Sequence, residues 1–275
     1  MGVIINIMNN KGGCGKTTTA CNLSDALGKK GKRVLVIDLD SQCNTTSILF
    51  PKTVQIRKCV YELIDPNDEN GSDLTEYTYM TDYKNVAVIP NVSDTANLEP
   101  DLIEKAPESF MKLRNHLRDF CIASYDYTII DNPPNIGTFV LCSLHAADFA
   151  IVPIRAGSAF SVEGLIKATQ LINRIRERGN PDLRFLRLLI NGRDKRTAIS
   201  KTLVDQLRNT FGDGQIFDTE IPQTTAFERA ESNGATILKS EPTTPGATAF
   251  RDLAKELIHI IEAPQKRERR AKSRD

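Results

Sequence analysis

VIINIMNNKGGCGKTTT, residues 3–19, runs from a β-rich segment (Val3 to Met8) through a glycine-rich loop into a helical pattern that opens at Thr17. Started at Asn10, the loop lacks the first glycine of the phosphate-binding pattern G-x-x-x-x-G-K-[ST]. It fits better as Lys11-Gly12-Gly13-Cys14-Gly15-Lys16-Thr17-Thr18. Three glycines let backbone N–H groups turn inward around phosphate oxygens, and the helix N-terminus adds its partial positive charge. Lys16 is placed to reach terminal phosphates, and the Thr17 hydroxyl to ligate Mg²⁺. A strand, a loop and a helix agree with a lysine and two threonines, so this is a nucleotide phosphate site.

The rest of the chain alternates strand and helix signals. Continuous apolar runs of strand length occur at Val34–Asp38, Val86–Ile89, Tyr125–Asp131, Phe149–Ile154 and Phe185–Asn191. Helical periodicity covers Thr17 to Lys30, about 95–122, Gly137–His145, Ser161–Arg178, Ala198–Phe211, 225–232 and Ala247–Ile261. A short strand is expected near 215–221, ending in a turn at Pro222, and residues 51–82 read as irregular. No linker divides the chain and no internal repeat is present. The pattern predicts a single-domain α/β P-loop fold over residues 1–263, with a mainly parallel twisted sheet and helices on both faces. Residues 264–275 read as a basic, disordered tail.

The bulk numbers exclude several classes. With 36 basic and 35 acidic residues among 275, the net charge is +1, so nucleic-acid affinity has to come from a local patch. The six cysteines form no C-x-x-C pair and the three histidines are scattered, which argues against disulfide or zinc frameworks and for reduced, buried thiols. The first strand opens at Val3 and no apolar run approaches a membrane span, so no signal peptide and a cytoplasmic location are expected.

Two further acids stand at strand ends. Asp131 closes an apolar strand before Asn132-Pro133-Pro134, the position of an acid that holds Mg²⁺ through water. Asp40 follows the Val34–Asp38 run, where a carboxylate lies beside the phosphate loop.

The two-lysine loop, KGGxGKTT, resembles the deviant Walker A group of P-loop ATPases, and Asp38-Leu39-Asp40-Ser41-Gln42, Asp131-Asn132-Pro133-Pro134, Glu163-Gly164-Leu165 and Ile221-Pro222 resemble the ParA/Soj partition ATPases within it. The resemblance spans about residues 2–262. Ser41 and Cys43 depart from the family's usual proline and glycine without removing a functional group. The resemblance implies an ATP- and Mg²⁺-dependent ATPase that hydrolyses slowly until a ParB-like partner stimulates it. It implies that Lys11 reaches across a homodimer to the nucleotide of the other subunit, supplying a cation to the γ-phosphoryl as an arginine finger does. Asp40 is implied to orient or activate the attacking water near Mg²⁺, and Asn191 and Pro222 to border the adenine.

The family's ATP dimer binds DNA without sequence preference, and the cations matching that role here are Arg193, Lys195, Arg196, Lys201 and Arg229. Gln223 and Ala226 stand where Soj-like proteins carry arginines. The expected function is partition or positioning of plasmid, chromosome or other cargo over the nucleoid. The alternatives are a MinD-like membrane ATPase and a scaffold positioning a non-DNA cargo. Against the first, the segment after Pro264 has six basic residues, two acidic ones and no bulky apolar side chain. The cluster-ligating cysteines of a nitrogenase iron protein cannot be placed in this sequence.

Overall fold

Strands with no polar alternation are stable only when covered on both faces, and these become the middle of the sheet. The computed structural model describes residues 2–68, 73–156 and 162–272. Seven strands, β1 (Val3–Ile7), β2 (Val34–Asp38), β3 (Tyr79–Met80), β4 (Val86–Ile89), β5 (Tyr127–Asp131), β6 (Phe149–Arg155) and β7 (Arg184–Asn191), lie in the order β3-β4-β2-β5-β1-β6-β7. All neighbours are parallel except β3 with β4. β1, which feeds the phosphate loop, is therefore central, between β5 and β6.

Register places the chemistry. Ile7 pairs with Asp131, and Asp131 pairs with Asp38, so two acids stand abreast at the carboxyl edge from which the loop springs. Ligands of open parallel sheets gather at that edge. One face of the sheet is covered by an apolar layer that includes Leu63, Leu113, Leu117, Leu144, Ile172 and Leu207. The other is covered by α1 (Lys16–Lys29) and α11 (Pro245–Lys272), which bury Leu23, Leu27, Phe250, Leu253 and Leu257. Each such side chain, fully removed from water, contributes about 1.5–3 kcal/mol, so both layers hold the sheet flat against its helices.

Several elements differ from the sequence expectation. The strand expected near 215–221 is reduced to two isolated bridges, Leu188 with Ile216 and Arg193 with Pro222. Between them, the N–H groups of Asp218 and Thr219 donate to the Glu256 carboxylate on α11 instead of to a strand. The polar stretch after Asp40 forms α2 (Asn44–Leu49), because the Asp38 carboxylate accepts from both Thr46 N–H and its hydroxyl. Residues 51–82 hold α3 (Val60–Ile64) and the edge strand β3, while the helix expected over 95–122 divides into α4 (Glu99–Glu104) and α5 (Glu108–Ser124) before Pro107. Pro107 has no N–H to continue an interior turn. The remaining helices are α6 (Thr138–Ala146), α7 (Val162–Arg178), α8 (Ala198–Phe211), α9 (Ala226–Ser232) and α10 (Ile237–Ser240). Ser161, expected to open α7, lies outside the described residues. α11 continues to Lys272, through the segment read from sequence as a disordered tail. Gln, Lys, Arg, Glu and Ala dominate that stretch, and all of them are good helix formers.

Candidate nucleotide site

The loop leaves β1 after Met8 and enters α1 at Lys16, with Gly15 capping the helix at φ +89°. A Cβ at Gly15 would lie 2.6 Å from Nδ2 of Asn191, so glycine is required here for both conformation and space. Asn191 ends β7, two strands away from β1, and its amide donates to the Cys14 carbonyl at 2.9 Å and to Thr19 Oγ1 at 3.3 Å. It thus clamps the loop to the sheet edge. Its Oδ1 is buried and has no hydrogen-bond partner.

Lys16 is 7% exposed, and its ammonium makes a long 3.4 Å bond to the Lys11 carbonyl. The Thr17 hydroxyl donates to Asp131 Oδ2 at 2.7 Å, and the Thr45 hydroxyl donates to the same oxygen at 2.8 Å. The other oxygen of Asp131 is buried with no partner. Burial pushes the Asp131 carboxyl up to about 6, against the two threonine bonds and the charge of Lys16. An unpartnered buried carboxylate oxygen beside a threonine hydroxyl and a phosphate loop suits a hydrated Mg²⁺, which keeps waters and takes its other oxygens from phosphates. The residues present fit that ion.

Asp38 is buried beside Asp131 and is pushed up to about 7, first by burial and then by its neighbour's charge. It accepts from Thr46 N–H at 2.8 Å, Thr46 Oγ1 at 2.7 Å and Asp40 N–H at 3.2 Å, so it builds the turn that aims Asp40. Asp40 accepts from Gln42 N–H at 3.0 Å and lines the same cleft as the loop. That cleft has a volume of about 460 Å³ and is completed by Asn191, Pro222 and Phe227. Lys11 lies outside it, in an adjoining cavity of about 370 Å³ with Gly12, Gly13, Arg155 and Gln223.

Of the residues read from sequence, the structure gathers Gly12, Gly13, Cys14, Gly15, Lys16, Thr17, Thr18, Asp40, Asn191 and Pro222 around one cleft, with Asp131 bonded to Thr17 beneath it. The cations form no such group. Arg193, with a side chain only 10% exposed, pairs with Glu220 at 3.2 Å and donates to Ser200, so it ties β7 to its neighbours instead of forming part of an open surface. Lys195 and Lys201 are exposed; Arg196 is exposed too, with its guanidinium on both oxygens of Asp194. Arg229 sits on α9 and pairs with Glu241. Thr45, Thr46 and Phe227 were not legible as site residues. The first two lie in a stretch that reads as loop, and Phe227 reads as an ordinary helix position. All six cysteines are free, and burial raises the Cys14 thiol, so the loop carries an un-ionised side chain there. Among the described residues, no helix is long and apolar enough to cross a membrane.

A family model described as "AAA domain" matches residues 2–185. The sporulation initiation inhibitor protein Soj of Bacillus subtilis is 32% identical over 257 residues, covering 94% of this chain and 98% of that protein. The chromosome-partitioning ATPase Soj of Thermus thermophilus is 36% identical over 258 residues, covering 94% and 96%. Among solved structures, cobyrinic acid a,c-diamide synthase of Mycobacterium smegmatis with bound ADP and magnesium superposes with a TM-score of 0.78 at 27% identity, covering 94% of this chain and 95% of that one. Loop, strand-end acids and sheet order thus occur together along a chain that matches two Soj proteins over nearly their whole length, and the chain belongs to the ParA/Soj family of P-loop proteins.

Proposed function

We propose that the protein is a partition or positioning ATPase that binds Mg²⁺–ATP, dimerises around it and holds nonspecific DNA in that state. The observation that carries this reading is the Thr17–Asp131–Thr45 arrangement under the phosphate loop, with one Asp131 oxygen left unpartnered in a buried setting. Thr17, Asp131 and Asp40 would hold a magnesium ion, which when bound would supply neutralising charge to the polyphosphate. Lys16 binds the terminal phosphates, and the loop amides bind the others. Asn191 and Pro222 border the base. Asp40, held in the wall of the cleft by Gln42 N–H and by the Asp38 turn, orients the attacking water and takes its proton.

Lys11 lies on the outer side of the loop, apart from the cleft that holds its own protomer's nucleotide. In this reading it serves the nucleotide of the partner protomer, so dimerisation and triphosphate binding are one event. The exposed Lys195, Arg196 and Lys201 of each protomer then contact DNA phosphates. A ParB-like partner speeds hydrolysis, and release from DNA follows, at the nucleoid.

A DNA-binding titration with ATP, with ADP and without nucleotide, at two salt concentrations, tests the reading. ATP-dependent binding that weakens steeply with salt is expected. Equal binding in all three states would refute it.

A further inference from the structure

The cavity on the outer side of the loop contains a second cation that the reading above does not use. Arg155 is the last residue of β6 and the sole exposed one in a strand whose other residues are buried or half-buried. It lines both cavities. In one it stands with Lys16, Asn191 and Pro222; in the other it stands with Lys11, Gly12 and Gln223. It therefore borders both the nucleotide cleft and the pocket of Lys11.

Its stem is held in place. Arg155 pairs with Asn191 across β6 and β7, and the next N–H, of Ala156, donates to the Asn191 carbonyl at 2.7 Å. The chain then turns at Gly192, with φ +64°. A Cβ on Gly192 would lie 3.3 Å from Arg155 Cγ and 3.7 Å from its Nε. Glycine thus lets the guanidinium stem lie against the turn that carries the base-side residue Asn191. A rigid strand end and a turn without a side chain fix a fork of donors suited to phosphate.

The outer pocket offers a lysine, this arginine and a glutamine amide, with two exposed glycines on its wall. Among the described residues, no acidic one lines it. Its chemistry is that of a polyphosphate seat, separate from the inner side of the loop. We infer that Arg155, with Lys11, forms a two-cation seat for the triphosphate bound to a second copy of this chain. Arg155 is then a positioning residue of the nucleotide-bridged dimer, an inference that rests on the ATP-dimer reading above.

Sedimentation of wild type, Arg155→Gln and Arg155→Lys with ATPγS and magnesium, alongside ADP affinity of each monomer, tests it. The wild type is expected to dimerise with ATPγS. Arg155→Gln is expected to raise the dimer dissociation constant tenfold or more, by a factor that exceeds any change in ADP affinity, and Arg155→Lys to recover part of the loss. Equal dimerisation by Arg155→Gln and wild type would overturn the seat while leaving the dimer standing. Parallel losses in dimerisation and ADP affinity would also overturn it, by assigning Arg155 to its own protomer's nucleotide. A wild type that stays monomeric would remove the dimer and the seat together.

Discussion

Replacing Asp38 by asparagine is expected to flatten the pH dependence of stability of the nucleotide-free, magnesium-free protein, favouring the variant most above neutral pH and least in acid. Asp38 is fully buried beside Asp131, and its carboxyl is pushed from 3.8 to about 7. An acid whose folded pKa is raised keeps its proton in the native state over a range where the unfolded chain has lost it. Stability therefore falls as pH rises from about 4 to 7, and above 7 the full penalty of a buried charge is present. At about 1.4 kcal/mol per pKa unit, that penalty is on the order of 4 kcal/mol. Asparagine removes it but keeps only part of the hydrogen bonding. Its carbonyl can take the two Thr46 bonds, leaving its NH₂ facing the Asp40 N–H. Two donors, that NH₂ and the Asp40 N–H, are then unmet at about 1–3 kcal/mol each, which offsets most or all of the charge relief near pH 8 and leaves the pH dependence as the signature. Urea unfolding of both proteins at about pH 8, 6 and 4.5 should show the difference between them shrinking by about 2–3 kcal/mol toward acid, as the wild type regains its proton. A stability difference that stays constant across the three pH values would refute the reasoning, because it would mean that Asp38 does not change its charge on folding.

Gly15→Ala forces a side chain into a left-handed position and against the Asn191 amide 2.6 Å away. Thermal melts should show a loss of about 1–2 kcal/mol, and a labelled-nucleotide titration should show at least a tenfold weaker affinity, equivalent to about 1.4 kcal/mol. Lys11→Ala should retain nucleotide binding while abolishing ATP-dependent dimerisation in light scattering; an unchanged dimer would remove Lys11 from the partner's site. Asp40→Ala should bind ATP and stay dimeric, with phosphate release slowed by about a hundredfold or more, as loss of a general base implies. Three exposed cations per protomer, doubled in the dimer, predict a log–log salt slope for DNA binding of about −5, and Lys195→Ala should reduce its magnitude by about 2.

Much of the site is contiguous in the chain, and that part is readable without a fold. Residues 11–18 carry their geometry locally, because glycine backbone freedom and the start of a helix suffice to make a phosphate cradle. The parallel sheet is equally plain, since runs such as Val34–Asp38 and Phe149–Ile154 are apolar on both faces and only a doubly covered strand can be. Elsewhere local signals mislead. Asn44 to Thr46 read as loop and open a helix because a preference from outside the stretch, the need of a buried Asp38 for donors, is met there. Arg193 reads as one cation among five and is instead drawn inward by Glu220, which lies beyond α8.

Which residue types can hold a phosphate follows from the order of amino acids alone. Which groups share that phosphate is a matter of register: pairing of Ile7, Asp131 and Asp38 across three strands sets the acids abreast, and the end of β7 brings Asn191 onto the loop from a point far along the chain. Hydrogen bonds between strands act across space and carry no trace in local spacing. The two threonines on Asp131, the tied-down Arg193 and the place of Arg155 on the walls of both cavities therefore emerge only when the sheet is assembled.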